Sequence, residues 1–253
     1  MNKVVKFTLI TLLSIFVFSC SVSEETVFNT DGSIDYSWML DASRLIKMLP
    51  DTASQREDMK KPVDTVISFA DFFEKHKDSI AGLPQAEQEK FEKIKPLSIR
   101  SHMDKNKKEF FVQVFGKFAD AAALNDAFDN SQTMQENTSS IKGVDADKFK
   151  NFINSLGKSH IKWDGKVFTK TIIARKSDFD SLGINNDSLK MAMSILFNEP
   201  FKSVYKFPKK VKSVSDSTAM LSQDRKTVTV SYDWEEYLAS PEKASIKIEL
   251  EDK

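Results

Sequence analysis

Cysteine is nearly missing: the chain has one, Cys20, in 253 residues. A lone cysteine excludes an intramolecular disulfide, so a folded body outside the cytosol must rest on its core. Glycine and proline are scarce, at 7 each, which excludes collagen-like and low-complexity chains. Charge of one sign is missing too: Lys and Arg number 37, Asp and Glu 37. No global positive field exists to hold nucleic acid by counterion release. The composition does not fit a polytopic membrane protein either. What remains is that of an ordinary globular chain, with 40% hydrophobic and 29% charged residues. Phenylalanine is abundant, and 17 of the 20 follow Cys20. That is enough material for one large domain or two small ones.

The first residues read MNKVVKFTLITLLSIFVFSC. Lys3 and Lys6 form a positive start, and Phe7–Phe18 is an apolar stretch broken only by Thr8, Thr11 and Ser14. A helix of that length reaches about 18 Å, short of the roughly 30 Å hydrocarbon core. The pattern is that of a signal peptide over residues 1–19, not of a membrane span. Val17-Phe18-Ser19-Cys20 resembles the lipobox of bacterial lipoproteins, with Phe18 where that family has a small or aliphatic residue. The resemblance implies cleavage between Ser19 and Cys20, diacylglycerol on the Cys20 sulfur and an acyl chain such as palmitate on the new amino group. Two or three chains make anchoring effectively stable, where one does not. Ser21, by the same analogy, directs the protein to the outer membrane. Glu24 and Glu25 resemble export signals of some surface lipoproteins, and the side of the membrane stays open. The competing reading is an ordinary secretory leader with an incidental cysteine.

Along the mature chain, residues 20–30 read as a polar, lipidated tether. Residues 31–129 form an N-terminal α+β part, 130–144 a polar linker or loop, and 145–253 a C-terminal α+β part. Ile34, Tyr36 and Trp38 alternate with polar neighbours as in a strand. Asp41 or Ser43 suits the cap of a short helix. Asp64-Thr65 suits the cap of a helix running to Ala81, with Val66, Phe69, Phe73 and Ile80 on one stripe. Pro84 opens the next helix, which carries Phe91 and Ile94. Leu97–Met103 and Phe110–Phe118 read as a hairpin about the turn Asp104–Lys108, followed by a short helix with Leu124 and Phe128 inward. Asp145 or Asp147 and Asp187 cap two further helices. Asp164-Gly165 predicts a two-residue turn pairing Trp163 with Lys166 and Ile161 with Phe168. The C-terminal part reads as all strand, ending on Ile246, Ile248 and Leu250. Hairpins without regular βαβ alternation predict an α+β fold with mainly antiparallel sheets and several packed helices.

Chemistry-bearing motifs are few. His76, His102 and His160 form no paired metal spacing, so no metal site and no cofactor is expected. No GxSxG, P-loop or GxGxxG occurs. Asn29, Asp31, Ser33 and Asp35 offer oxygens but read as turn chemistry, and the stretch from Asp178 departs from a calcium loop at Leu182 and Leu189. Lys209, Lys210 and Lys212 read as a solvated strand edge, with contact to anionic lipid headgroups as the functional alternative. Trp38, Trp163 and Trp234 read as core, with a pocket floor as the alternative.

Val204-Tyr-Lys-Phe-Pro-Lys-Lys-Val-Lys-Ser-Val214 and Ser222-Gln-Asp-Arg-Lys-Thr-Val-Thr-Val-Ser-Tyr232 resemble the C-terminal portion of LppM-like lipoprotein domains. The rest resembles uncharacterised bacterial lipoproteins. The resemblance implies binding of lipid or an envelope component and carries over no functional residue. The expectation is an acyl-anchored envelope lipoprotein, a non-enzymatic binding module for an envelope partner or amphiphile. The alternatives are an assembly factor of the outer membrane and a hydrolase with a site built from distant residues.

Overall fold

The computed structural model describes residues 22–48, 62–134, 158–173 and 199–252. The fold is α+β; among the described residues there are two sheets, with every strand pair antiparallel but one. The strands of the large sheet are β1 (Val22–Phe28), β2 (Ile34–Asp41), β3 (Val63–Ser68), β4 (Leu97–Asp104), β5 (Glu109–Phe118), β8 (Phe201–Lys206), β10 (Met220–Leu221) and β11 (Thr227–Tyr232). They lie in the order β10-β11-β8-β1-β2-β5-β4-β3. The small sheet holds β6 (Lys158–Trp163), β7 (Val167–Ile173), β9 (Val211–Val214) and β12 (Ile246–Leu250), in the order β6-β7-β12-β9.

Residues 22–28, expected as tether, form a central strand instead. β1 pairs antiparallel with β2 and parallel with β8, and Val22, Glu24, Thr26 and Phe28 are all buried. The polar letters at 24 and 26 hid a strand whose buried face carries a charge. This parallel pair also joins the two expected parts in one sheet.

The small sheet packs on the inner face of the large one. Phe28 stacks on Phe207 at 4.9 Å and meets Trp163 at 4.7 Å and Phe168 at 5.0 Å. Helices cover the rest of that face: α2 (Phe69–Lys75), α3 (Lys77–Ala81), α4 (Gln85–Ile94) and α5 (Ala121–Met134). Phe73, Ile94, Leu97, Phe118, Leu124 and Ala127 join their core to that of the sandwich. Asp120 Oδ1 caps α5 by accepting from the Ala123 N–H at 2.8 Å. The Asn125 side chain then bonds both backbone groups of Ile161, at 2.9 and 3.0 Å, tying α5 to the outer edge of the small sheet. Gly116 is required where the chain enters β4: a Cβ there would stand 2.6 Å from the Pro96 carbonyl oxygen.

Several expectations need correction. The helix expected from Asp64 starts only at Phe69, because residues 63–68 pair with β4 from Val63↔Met103 to Ser68↔Ser98. The Ser68 hydroxyl accepts from the Asp71 N–H at 3.3 Å, so the cap lies four residues later than expected. The β6–β7 register is shifted by two: Trp163 faces Phe168 and Ile161 faces Lys170. Asp164 Oδ1 accepts from the N–H groups of Lys166 and Val167, which widens the turn, while the buried faces are unchanged. The C-terminal part is not all strand: α6 (Trp234–Ala239) and a 3₁₀ turn, Pro241–Ala244, precede β12. α5 runs on to Met134, into the expected linker. The rest of that linker, the helices expected after Asp145 and Asp187, and the stretch from Asp178 lie outside the described residues. A short helix, α1 (Ser43–Met48), follows β2 as expected, with Asp41 Oδ1 accepting from the Ser43 N–H at 2.8 Å.

Candidate functional site

Three places bring polar chemistry together. The first is inside. β1 points Glu24 inward, β8 places Ser203 beside it, and β7 brings Lys170 across from the small sheet. The Lys170 Nζ and the Ser203 hydroxyl, 3.1 Å away, both donate to Glu24 Oε2. Glu24 and Lys170 are each 5% exposed and Ser203 is fully buried. This polar layer separates two apolar clusters. One holds Phe28, Phe168 and Tyr205, the other Val22, Leu40, Ile172, Phe201, Trp234 and Tyr237. Burial, then the nearby Glu24 charge, pushes the phenols of Tyr36 and Tyr205 well above their ordinary range. Burial raises Tyr237 to about 12. A neutral, water-excluded pair of this kind ties two sheets together. Glu24 is therefore not displayed on a tether as an export signal. The period-2 row Phe168, Lys170, Ile172 was the one signal in the sequence for it.

The second place is the outer face of the large sheet, turned away from the small one. A shallow hollow of about 400 Å³ lies there, lined by Glu25, Val27, Ser37, Gln113, Phe115 and neighbours. The Gln113 amide donates to the Ser37 hydroxyl at 2.8 Å, and Lys206 pairs with Glu25 at 2.7 Å. Farther along this face, Arg100 makes a two-pronged pair with Asp64 at 2.8 and 2.6 Å. That guanidinium holds the Asp64 carboxyl down to about 2. His102 lies between Asp64, at 3.4 Å, and Glu109, at 3.2 Å, and stacks on Phe111 with ring centres 4.8 Å apart. Both carboxylates are nearly half exposed, so the group stands on an open surface. The strip is open and mixes aromatic with polar side chains.

The third is the lysine group. Lys209 and Lys210 are exposed, and Lys212 donates to Glu249 Oε1 at 2.8 Å. All three sit at the end of the sandwich where β1 finishes, since Lys206 is level with Val27. Six residue steps of β1, roughly 20 Å, separate that end from Val22. Ser19 and Cys20 lie outside the described residues.

The other candidates resolve into packing and turns. His160 pairs with the half-exposed Asp129 at 3.4 Å, and the His76 ring lies tilted against Phe72 with centres 4.4 Å apart. Trp163 and Trp234 pack in the core, and Trp38 borders both clusters. Asp31 accepts from the backbone and hydroxyl of Ser33, and Asn29 donates to Asp35, so this oxygen set is occupied by its own turn. Among the described residues no group of His, Cys, Asp and Glu could hold a metal. No helix among them is long and apolar enough to cross a membrane.

No family model matches the chain, and no curated protein matches it. The NMR structure of the folded domain of the Mycobacterium tuberculosis LppM protein is similar over 90% of this chain and 87% of its own. The identity is 7% and the TM-score 0.41, too loose a likeness to carry a function across.

Proposed function

We propose that this chain is an acyl-anchored lipoprotein of the bacterial cell envelope, and that its domain is a non-enzymatic interaction module for an envelope partner or an amphiphile. The observation that carries the reading is the junction of leader and fold. A signal-peptide pattern ends at Ser19, the chain's one cysteine follows, and the first strand among the described residues begins at Val22. Acyl chains on Cys20 hold the domain to the bilayer, and Ser21 favours the outer membrane. The outer face of the large sheet, with the hollow beside Gln113 and the Arg100–His102–Phe111 group, is the surface offered to a partner. The lysines at 209, 210 and 212 have no headgroup role in this reading, because they stand at the end away from the anchor.

Mass spectrometry of the intact protein from native membranes tests the anchor. The expected mature chain begins at Cys20 and carries two or three acyl chains. A Cys20→Ala variant is expected to leave the membrane without detergent. An unmodified thiol, or a mature start elsewhere, overturns the reading. A photo-crosslinker placed at Gln113 then distinguishes a protein partner from an amphiphile by the mass of the adduct.

A further inference from the structure

We infer that the end of the sandwich where β1 begins rests in the headgroup layer of the bilayer, with Met48, Val63 and Ile173 as its apolar contacts. This rests on the acylation of Cys20 proposed above and adds to it an orientation and a contact surface. Chain length is the first constraint. Only Ser21 separates Cys20 from Val22, so their Cα atoms are at most about 7 Å apart whatever the local conformation. The headgroup layer on each side of a bilayer is roughly 5–7 Å deep. β1 is not free to peel away and lengthen the link. Val22 is 1% exposed, packed with Leu40, Ile172 and Phe201, and β1 is paired on both sides.

What surrounds Val22 is the second constraint. β2 ends beside it, since Leu40 is its register partner, and α1 follows to Met48, which is 57% exposed. Across β2, β5 and β4, β3 begins slightly beyond this level with Val63, 39% exposed. In the small sheet Ile172 packs against the Val22 cluster and Ile173, 53% exposed, follows it outward. Exposed apolar side chains thus lie at the end that a two-residue link holds at the membrane. Charge there is mixed, with Arg44 near Glu199, Lys107 near Asp104 and Lys243 near Glu236. Contact with zwitterionic lipid therefore suffices.

Single cysteines at positions 48, 63, 173 and 209 in the full-length acylated protein test this, each labelled with an environment-sensitive fluorophore. After reconstitution in phosphatidylcholine vesicles, labels at 48, 63 and 173 are expected to brighten about threefold and to be quenched by doxyl lipids, as for side chains entering the interface. The label at 209 is expected to stay as in detergent-free water. Label stoichiometry separates the two failures. One label per chain shows Cys20 blocked; two labels show it free, which sinks the anchor itself. With one label per chain, unchanged emission at 48, 63 and 173, or equal brightening at 209, overturns the orientation while leaving the anchor in place.

Discussion

Glu24, Lys170 and Ser203 show how a single residue can bind distant parts of a chain. Burying one carboxylate and one ammonium costs several kcal/mol each, and their attraction offsets that only while both are present and hydrogen-bonded. Removing one partner is therefore far worse than removing both. Lys170→Met is expected to cost about 3–5 kcal/mol, because it strands the Glu24 carboxylate between the sheets. Combining it with Glu24→Leu is expected to return stability to near or above that of the parent. Urea unfolding of the soluble domain, with Cys20 replaced by Ser, gives the cycle. A double variant as unstable as the sum of the two singles would falsify the coupling. The sequence reading missed this pair, although one half leaves a mark in the sequence: a lysine spaced between Phe168 and Ile172 on a buried face needs an acid. Its partner lies 146 residues away, and no local pattern points to it.

Among the elements, β3 was hidden for a different reason. All its residues but Ser68 are exposed, so it has no apolar–polar alternation to read. Val66, Phe69 and Phe73 then mimic a helical stripe, although only the residues from Phe69 on are helical. The strands with one buried face, β2, β7 and β12, were legible for the opposite reason. β3 is fastened to β4 at its outer side by the Asp64–Arg100 pair. The guanidinium lowers the Asp64 carboxyl to about 2, below the unfolded value near 4. A depressed acid stabilises the fold above the unfolded value, and that contribution fades as pH falls through the folded one. The melting-temperature gap between the parent and Arg100→Gln is thus expected to be constant above pH 5, to shrink between pH 4 and 2, and to close below. A gap that persists unchanged at pH 1.5 would assign the effect of Arg100 to its guanidinium over the Phe111 ring, 5.3 Å from the ring centre, rather than to Asp64.

At the scale of the whole molecule, the parallel pair β1–β8 makes the sequence's two apparent halves one body, and the tyrosines report on that body as a unit. The chain has 4 tyrosines, Tyr36, Tyr205, Tyr232 and Tyr237. Burial raises all of them above their ordinary value, Tyr237 to about 12 and the others at least in that direction. They lie around the Glu24–Lys170 layer: the Glu24 charge adds to the rise at Tyr36 and Tyr205, while at Tyr232 and Tyr237 the Lys170 charge opposes the rise that burial sets. For an acid whose folded value is raised, the neutral form stabilises the fold fully below the unfolded value, near 10 for tyrosine. That stability is lost as pH rises above it. Each such phenol contributes a slope of about 1.4 kcal/mol per pH unit above 10, so the set approaches about 5 kcal/mol per unit. That slope is comparable to the whole stability of a small domain. Native protein is therefore expected to show almost no phenolate absorbance at 295 nm at pH 10, where a free tyrosine is half ionised. Between pH 10 and 12 the phenolate signal is expected to rise in one steep step, coincident with loss of far-ultraviolet circular dichroism. A gradual phenolate rise centred on pH 10 with the circular dichroism intact would mean that the tyrosine layer is open to water, and that the two sheets do not close over it.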